Sequence, residues 1–198
     1  MQTFVLFKSH IKTARVLDNM RLGKQRSETI QILDAILGKS EAYENHPAVA
    51  AWWEYPEALV MYGLVMCHEW RIVRGKQDHC WEQLAEIATE LGMAGAITEK
   101  LPRADKIANP PWMDDLDVLR SHRSRLVEKM PRVYAAEFPD TPENMPYLWP
   151  QTMSKKVDPR GYRLRLSQAD TIRLANRERV LPEWLTYDPD KREVLKAS

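Results

Sequence analysis

Proline and glycine residues divide the first 150 residues into segments whose apolar side chains recur at helical spacing. Pro47 and Pro56 stand where helices would open, and Gly38, Gly75 and Gly92 stand where helices would stop. Between these positions apolar residues return every three or four residues, which is the period of an amphipathic helix. The sequence therefore predicts an all-α fold with one compact core up to residue 150.

Capping residues refine the limits of these helices. Asp78 and either Asp114 or Asp115 are the side chains expected to cap two of them, because an aspartate oxygen accepts from the first free backbone N–H groups. The first helix is long and basic and ends before Gly38. The predicted helices cover residues 12–37, 47–53, 56–74, 79–91, 116–129 and 131–138.

The composition changes after residue 150. Residues 154–179 contain eight cations and three anions, residues 162–166 alternate as a short strand does, and residues 185–195 predict a small β-hairpin. We therefore divide the chain into a helical core, residues 1–150, and a basic C-terminal extension, residues 151–198. Two roles stay open for this extension: it binds DNA phosphates or a partner, or it seals the core.

Composition bounds the class of protein. With 198 residues, 44% of them hydrophobic, the chain can bury one good core. Cys67 and Cys80 are too few for a disulfide framework and lack C-x-x-C metal spacing, which favours a reducing compartment. No apolar run approaches the roughly 20 residues that span a bilayer. We expect a soluble, cytoplasmic monomer without a membrane segment or a cofactor.

The N-terminal segment carries a local excess of positive charge. Residues 1–30 hold six cations and two anions, whereas the net charge of the whole chain is only +1. Helical spacing puts Arg21, Lys24 and Gln25 on the same face as Glu28. A carboxylate among cations stays ionised and can stabilise a developing positive charge or move a proton. The alternative is a solvated ion pair on a surface helix.

Two histidine motifs are candidate phosphate sites. His46 precedes Pro47, where a side-chain donor and backbone N–H groups could hold an anion. The second motif is a run of donors that includes Arg120, His122, Arg123 and Arg125. The alternative for both histidines is a helix cap or a core position. Neither motif has the H-x-x-x-H or Cys/His spacing of a metal site, so we expect no metal.

Tryptophan is abundant, with seven residues in the chain. An enzyme that acts on a base inside duplex DNA must extrude that base and stack it on a planar side chain. We assign three tryptophans to the core and three as stacking candidates. The core set is Trp53, Trp70 and Trp81, and the stacking set is Trp52, Trp112 and Trp149.

The order of the motifs resembles the pyrimidine-dimer DNA glycosylases of the phage endonuclease V type. It is similar above all to phage and bacterial relatives that open with Met-Gln-Thr-Phe, and the resemblance covers about residues 1–150. The matching pieces are Met1–Phe4, Leu22–Arg26 with Glu28, Asn45–Val49, Ser121–Ser124 and Tyr147–Pro150.

This resemblance implies a mechanism. In the family the α-amine at the chain's start attacks C1′ of the damaged nucleotide, and a glutamate of the first helix assists. An α-amine ordinarily has a pKa of about 7.7–8, against about 10.4 for lysine, so far more of it is unprotonated at pH 7. The family's nucleophile is a small residue exposed by removal of methionine. Here Gln2 is large and should leave Met1 in place, which makes the Met1 amine the candidate, with Lys24 or water as alternatives.

The resemblance therefore implies a DNA glycosylase, with possible AP-lyase activity, that excises damaged or modified pyrimidines from duplex DNA. Glu28 would stabilise the sugar cation or Schiff base, and four cations would hold phosphates. One alternative within the class is excision of bulky modified bases, as in conflict between phages and their hosts. The alternative outside it is a DNA-binding helical module without catalysis. The four cations are Arg15, Arg21, Lys24 and Arg26.

Overall fold

The computed structural model describes residues 1–93, 107–152 and 160–196. Its contacts divide the chain into two compact units, Met1–Pro110 and Pro111–Ser198. The division after residue 150 that the sequence suggested stays a prediction about domains. In the structure that position falls within a strand pair of the second unit.

The first unit is helical. An extended segment at the chain's start leads into the helices, and the fourth helix continues into a π-helical turn, Glu69–Val73. The helices are α1 (His10–Val16), α2 (Asn19–Ile36), α3 (Pro47–Trp52), α4 (Pro56–His68) and α5 (Cys80–Glu90).

Helices α1 and α2 replace the single long helix predicted from residue 12 to 37. Leu17 is extended, with φ −64° and ψ 132°, and the side chain of Asp18 accepts hydrogen bonds from the backbone N–H groups of Met20 and Arg21. An aspartate that satisfies two free N–H groups starts a new helix at this point. The prediction of one continuous helix was wrong because the capping function of Asp18 was missed.

Helix α4 is the centre of this unit and explains its compactness. Residues Ala58 to Cys67 are buried on every side of the helix, and α4 packs against α1, α2 and α5. At Gly63 an added Cβ would lie 2.7 Å from Cγ2 of Thr29 and 2.9 Å from Cδ1 of Leu84. This glycine therefore allows α2 and α5 to approach α4 closely, which fixes α2 against the core.

The second unit combines helices with a small sheet. A 3-10 turn, Pro111–Asp114, precedes the longest helix of the unit, which Asp115 caps as predicted. The predicted hairpin is confirmed, and two further strands extend it to an antiparallel sheet of order β1-β2-β4-β3. The elements are α6 (Leu116–Lys129), α7 (Pro131–Tyr134), β1 (Trp149–Gln151), β2 (Arg163–Arg165), α8 (Gln168–Ala175), β3 (Leu185–Asp188) and β4 (Glu193–Lys196).

The prediction of a mainly helical protein with a small C-terminal β-structure is confirmed. Helix α7 ends at Tyr134, short of the predicted residue 138. Among the described residues, none of the helices has the length and apolarity needed to cross a membrane.

Candidate active site

The extended start of the chain is hydrogen-bonded to helix α2 through one buried side chain, Gln25. Its Oε1 accepts from the backbone N–H of Phe4 at 2.7 Å, and its Nε2 donates to the carbonyl oxygen of Gln2 at 3.0 Å. Nε2 lies 3.3 Å from Oε2 of Glu28 and donates there as well. The amide of Gln25 therefore joins the first residues of the chain to the carboxylate of Glu28.

Glu28 also contacts the first residues directly. The backbone N–H of Gln2 donates to Oε2 of Glu28 at 3.2 Å, and the carboxylate is half-buried. The α-amine belongs to the residue immediately before Gln2. The structure therefore brings the start of the chain and Glu28 together, although 26 residues separate Gln2 from Glu28 in sequence.

Helix α3 holds the same segment from another direction. The indole N–H of Trp52 donates to Oγ1 of Thr3 at 3.0 Å, and both side chains are buried.

His46 caps α3, its Nδ1 accepting from the backbone N–H of Ala48 at 3.0 Å. Burial and the positive charge of the N-terminal ammonium group lower the pKa of His46. His46 is therefore neutral at pH 7, with its ring proton on Nε2.

The floor of the site is uncharged. The hydroxyl of Tyr62 lies 2.9 Å from the carbonyl oxygen of Phe4 and 2.7 Å from Oε1 of Gln25. Burial, and then the charge of Glu28, raise the pKa of Tyr62 well above its usual value. The ring of His10 meets Tyr62 edge-on, and burial lowers the pKa of His10 to about 4. Both rings stay neutral at pH 7, so they add no charge beside Gln25 and the chain's start.

The cations predicted on this part of the chain differ in their surroundings. Lys24 and Arg15 are exposed. Arg21 pairs with Asp18 at 3.1 Å. Arg26 pairs with Asp78, whose side chain is fully buried, and the guanidinium of Arg26 lies 4.2 Å from the centre of the Trp70 ring. The charge of Arg26 is therefore balanced inside the protein, and its predicted phosphate contact has no support in this geometry.

The start of the chain held against a glutamate of a basic helix is the arrangement that the sequence motifs led us to expect. Residues 1–83 match the family model of the pyrimidine dimer DNA glycosylases. The matched segment contains Gln25, Glu28, His46 and Tyr62, and thus the hydrogen-bonded site described above. Comparisons with curated proteins and with solved structures gave no match.

The match covers 83 of the 198 residues of the chain. It ends before the second predicted phosphate site, residues 120–125, which lies in the second unit. The family match therefore covers the first predicted phosphate site, at His46, and does not cover the second.

In helix α6 the second motif has a structural function. His122 is 1% exposed and stacks on Tyr147 with ring centroids 4.2 Å apart. The hydroxyl of Ser121 accepts from the backbone N–H of Leu148 at 3.1 Å. The core alternative thus describes His122 better than a phosphate contact.

The three arginines of this motif are engaged within the second unit. Arg120 pairs with Asp117 at 3.4 Å and Arg125 pairs with Glu128 at 2.5 Å. Arg123 lies over the ring of Phe138 at 5.4 Å, and burial, then the charge of Arg120, lower its pKa. Their contacts with DNA stay a prediction.

The tryptophan assignments were largely wrong. Trp52 and Trp112 are fully buried, whereas Trp53 is 37% exposed and Trp70 and Trp81 are half-buried. Trp149 is buried as well. Helical spacing alone could not predict which indole side chain faces the core, because a short helix has too few residues to define one buried face.

Sequence reasoning placed Gln25 on the face of Glu28 but missed its hydrogen bonds to Gln2 and Phe4. It also missed Thr3 and Tyr62, whose partners lie 49 and 37 residues away along the chain. The signal that was available is the three-residue spacing from Gln25 to Glu28. Among the described residues, no group of three or more His, Cys, Asp or Glu side chains could hold a metal ion.

Proposed function

We propose that the start of the chain and Glu28 form the active site of a glycosylase that excises a damaged pyrimidine and can then cleave the strand. The observation that carries this proposal is the hydrogen bond from the Gln2 backbone N–H to the Glu28 carboxylate. It supports this site because it holds an acidic group against the residue that follows the α-amine, and covalent catalysis by an amine needs such a group nearby.

The proposed chemistry begins with the unprotonated Met1 amine. Its nitrogen attacks C1′, the C1′–N bond to the base breaks, and the base leaves with the bonding electrons and takes up a proton. The sugar ring then opens as O4′ is protonated, which gives an imine between C1′ and the chain terminus. Loss of a C2′ proton and departure of the 3′-phosphate would complete the lyase step. Glu28 stabilises the cationic sugar and the protonated imine, and serves as the proton acceptor.

Several surrounding groups suit a DNA backbone. Lys24 is exposed and lies one helical turn before Glu28, and Arg15 is exposed on α1. The Nε2–H of neutral His46 is a donor near the chain terminus. We propose that these three groups contact phosphates around the extruded nucleotide, since phosphate contacts fix register without reading sequence. Arg21 would join them after releasing Asp18.

Other substrates and other nucleophiles stay open within the glycosylase class. A bulky modified pyrimidine could occupy the site in place of a light-induced dimer, and Lys24 or water could replace the Met1 amine. The module without catalysis remains the alternative from another class. The placement of Glu28 against the backbone of Gln2 favours the enzyme, because DNA binding alone gives no reason to hold a carboxylate where a polyanion must approach.

The substitution Glu28→Gln tests this proposal. It keeps the shape of the side chain and removes its charge, so excision of a dimer from a short duplex should slow by roughly 10²-fold or more with DNA affinity almost unchanged. The matched control is Asp34→Asn, a carboxyl of the same helix, which should leave excision at the wild-type rate. Equal loss of binding and rate in Glu28→Gln would contradict the catalytic role.

A further inference from the structure

We infer that Gln25 is a positioning residue that fixes the distance between the chain terminus and the Glu28 carboxylate through its side-chain amide. This inference rests on the proposed function, since it concerns the same site. It assigns a function to a side chain that does not itself react. The amide is 1% exposed and lies beneath the two groups that it joins.

The amide of Gln25 makes every hydrogen bond available to it in this geometry. Its oxygen accepts from the Phe4 backbone N–H and from the Tyr62 hydroxyl, both at 2.7 Å. Its nitrogen donates to the Gln2 carbonyl at 3.0 Å and to Glu28 at 3.3 Å. Only an amide offers two donors on one side and an acceptor with two lone pairs on the other. A carboxylate or an apolar side chain of the same size could not replace it.

The partners also fix the orientation of the amide. If its oxygen and nitrogen were exchanged, two donors would face each other at Phe4, and two acceptors would face each other at both Gln2 and Glu28. Each such exchange would leave a buried polar group without its hydrogen bond, which is unfavourable. The orientation of the Gln25 amide therefore fixes the positions of both the chain's start and the Glu28 carboxylate.

The amide is itself held by a buried side chain of the central helix, α4. Tyr62 belongs to the central helix α4, is fully buried, and bridges Oε1 of Gln25 and the Phe4 carbonyl. Its hydroxyl has one proton, so it donates to one of these oxygens at a time. Reaction rates depend steeply on such positioning, and a misplacement of about 1 Å can cost roughly 10²-fold. Through these hydrogen bonds Gln25 links the reacting groups to the buried helix α4.

The test compares Gln25→Leu with Gln31→Leu, a matched control at an exposed position of the same helix. Gln25→Leu keeps the approximate volume and removes all four hydrogen bonds. We expect single-turnover excision to slow by roughly tenfold or more, with DNA affinity within about twofold of wild type. Gln31→Leu should match wild type in both measurements.

A second readout does not depend on activity. Loss of the Nε2–H donor removes a group that favours the ionised carboxylate, so in a carbon-13 NMR titration the Glu28 signal should titrate at higher pH in Gln25→Leu than in wild type. Gln31→Leu should leave this midpoint where it is. A residue that only supports folding would lower thermal stability and leave the titration of Glu28 unchanged.

The outcomes separate the two proposals. Wild-type protein without excision would refute the proposed function, and the titration would still decide whether Gln25 positions Glu28. An unchanged rate and an unchanged midpoint in folded Gln25→Leu would overturn the inference. If Gln25→Leu does not fold, Tyr62→Phe is the decisive variant, since it removes one hydroxyl bond to the amide. A wild-type excision rate in folded Tyr62→Phe would then overturn the inference.

Discussion

Single residues of the same charge have different functions in this protein, and Arg15 and Arg26 give the clearest contrast. Arg15 is exposed, whereas Arg26 is 11% exposed and pairs with a fully buried Asp78. Arg26→Ala would leave that carboxylate unpaired, so we expect a loss of about 3–5 kcal/mol in the free energy of unfolding and no change in the salt dependence of DNA binding. Denaturant unfolding of the variant measures the loss.

Arg15→Ala is the matched variant and should behave in the opposite way. We expect wild-type stability, weaker binding to every duplex, and a decrease of about one in the slope of log K against log salt. Arg26→Ala with wild-type stability and a reduced slope would instead return Arg26 to the phosphate-binding set.

At this scale the sequence implied, through the family resemblance that it carries, that Glu28 lies beside the chain's start, and the contact with Gln2 agrees with this. Helical spacing, a local property, predicted only that Arg21, Lys24 and Gln25 share the face of Glu28. It could not indicate that Gln25 bonds Phe4 and Tyr62, which lie 21 and 37 residues away. Nor could it predict that Arg26, unlike the exposed Arg15, is paired inside the protein. That ion pair depends on Asp78, 52 residues later, which the fold brings next to Arg26.

At the scale of secondary-structure elements, the helix starts at Pro47, Pro56 and Pro131 and the start capped by Asp115 were predicted well. Asp115 caps α6 as expected from its sequence, and Ser167 caps α8. The break between α1 and α2 was missed because the apolar period continues through Leu17. Strand β1 was missed because three residues are too few to show alternation.

Helix α6 anchors the segment that follows it through two serine hydroxyls, and this gives a prediction at the element scale. Ser124 accepts from the buried backbone N–H of Met145 at 3.0 Å. Ser124→Ala leaves that donor unsatisfied, so we expect the free energy of unfolding to fall by about 1–3 kcal/mol. The control is Ser27→Ala, an exposed serine of α2 that should change stability by less than about 0.5 kcal/mol. Equal stability of the two variants in urea would refute the anchoring function of α6.

At the scale of the whole molecule, the C-terminal extension is built into the second unit. Leu164, Leu185 and Val194 are buried. Tyr162 donates to Asp115 at 2.5 Å, and the Trp184 indole donates to Asp117 at 2.8 Å. Both aspartates are buried, and each accepts one of its hydrogen bonds from a residue beyond 150. This favours the sealing alternative over a separate clamp for DNA phosphates.

A chain that ends after Pro150 tests this choice. It loses three of the four strands and the Tyr162 and Trp184 partners of the two aspartates, so we expect residues 111–150 to lose hydrogen-exchange protection and the protein to aggregate. A chain that ends after Lys196 is the control and should behave as wild type. A soluble, protected truncation whose DNA binding weakens steeply with salt would support the clamp instead.

The central claim, that the start of the chain is the nucleophile beside Glu28, is tested most directly by borohydride trapping. Reduction during turnover on dimer-containing duplex should yield a covalent protein–DNA adduct, and peptide mapping should locate it at the Met1 α-amine. Acetylation of the terminus should abolish the adduct, while Lys24→Ala should retain it. An adduct at Lys24, or base release without any adduct, would contradict the claim.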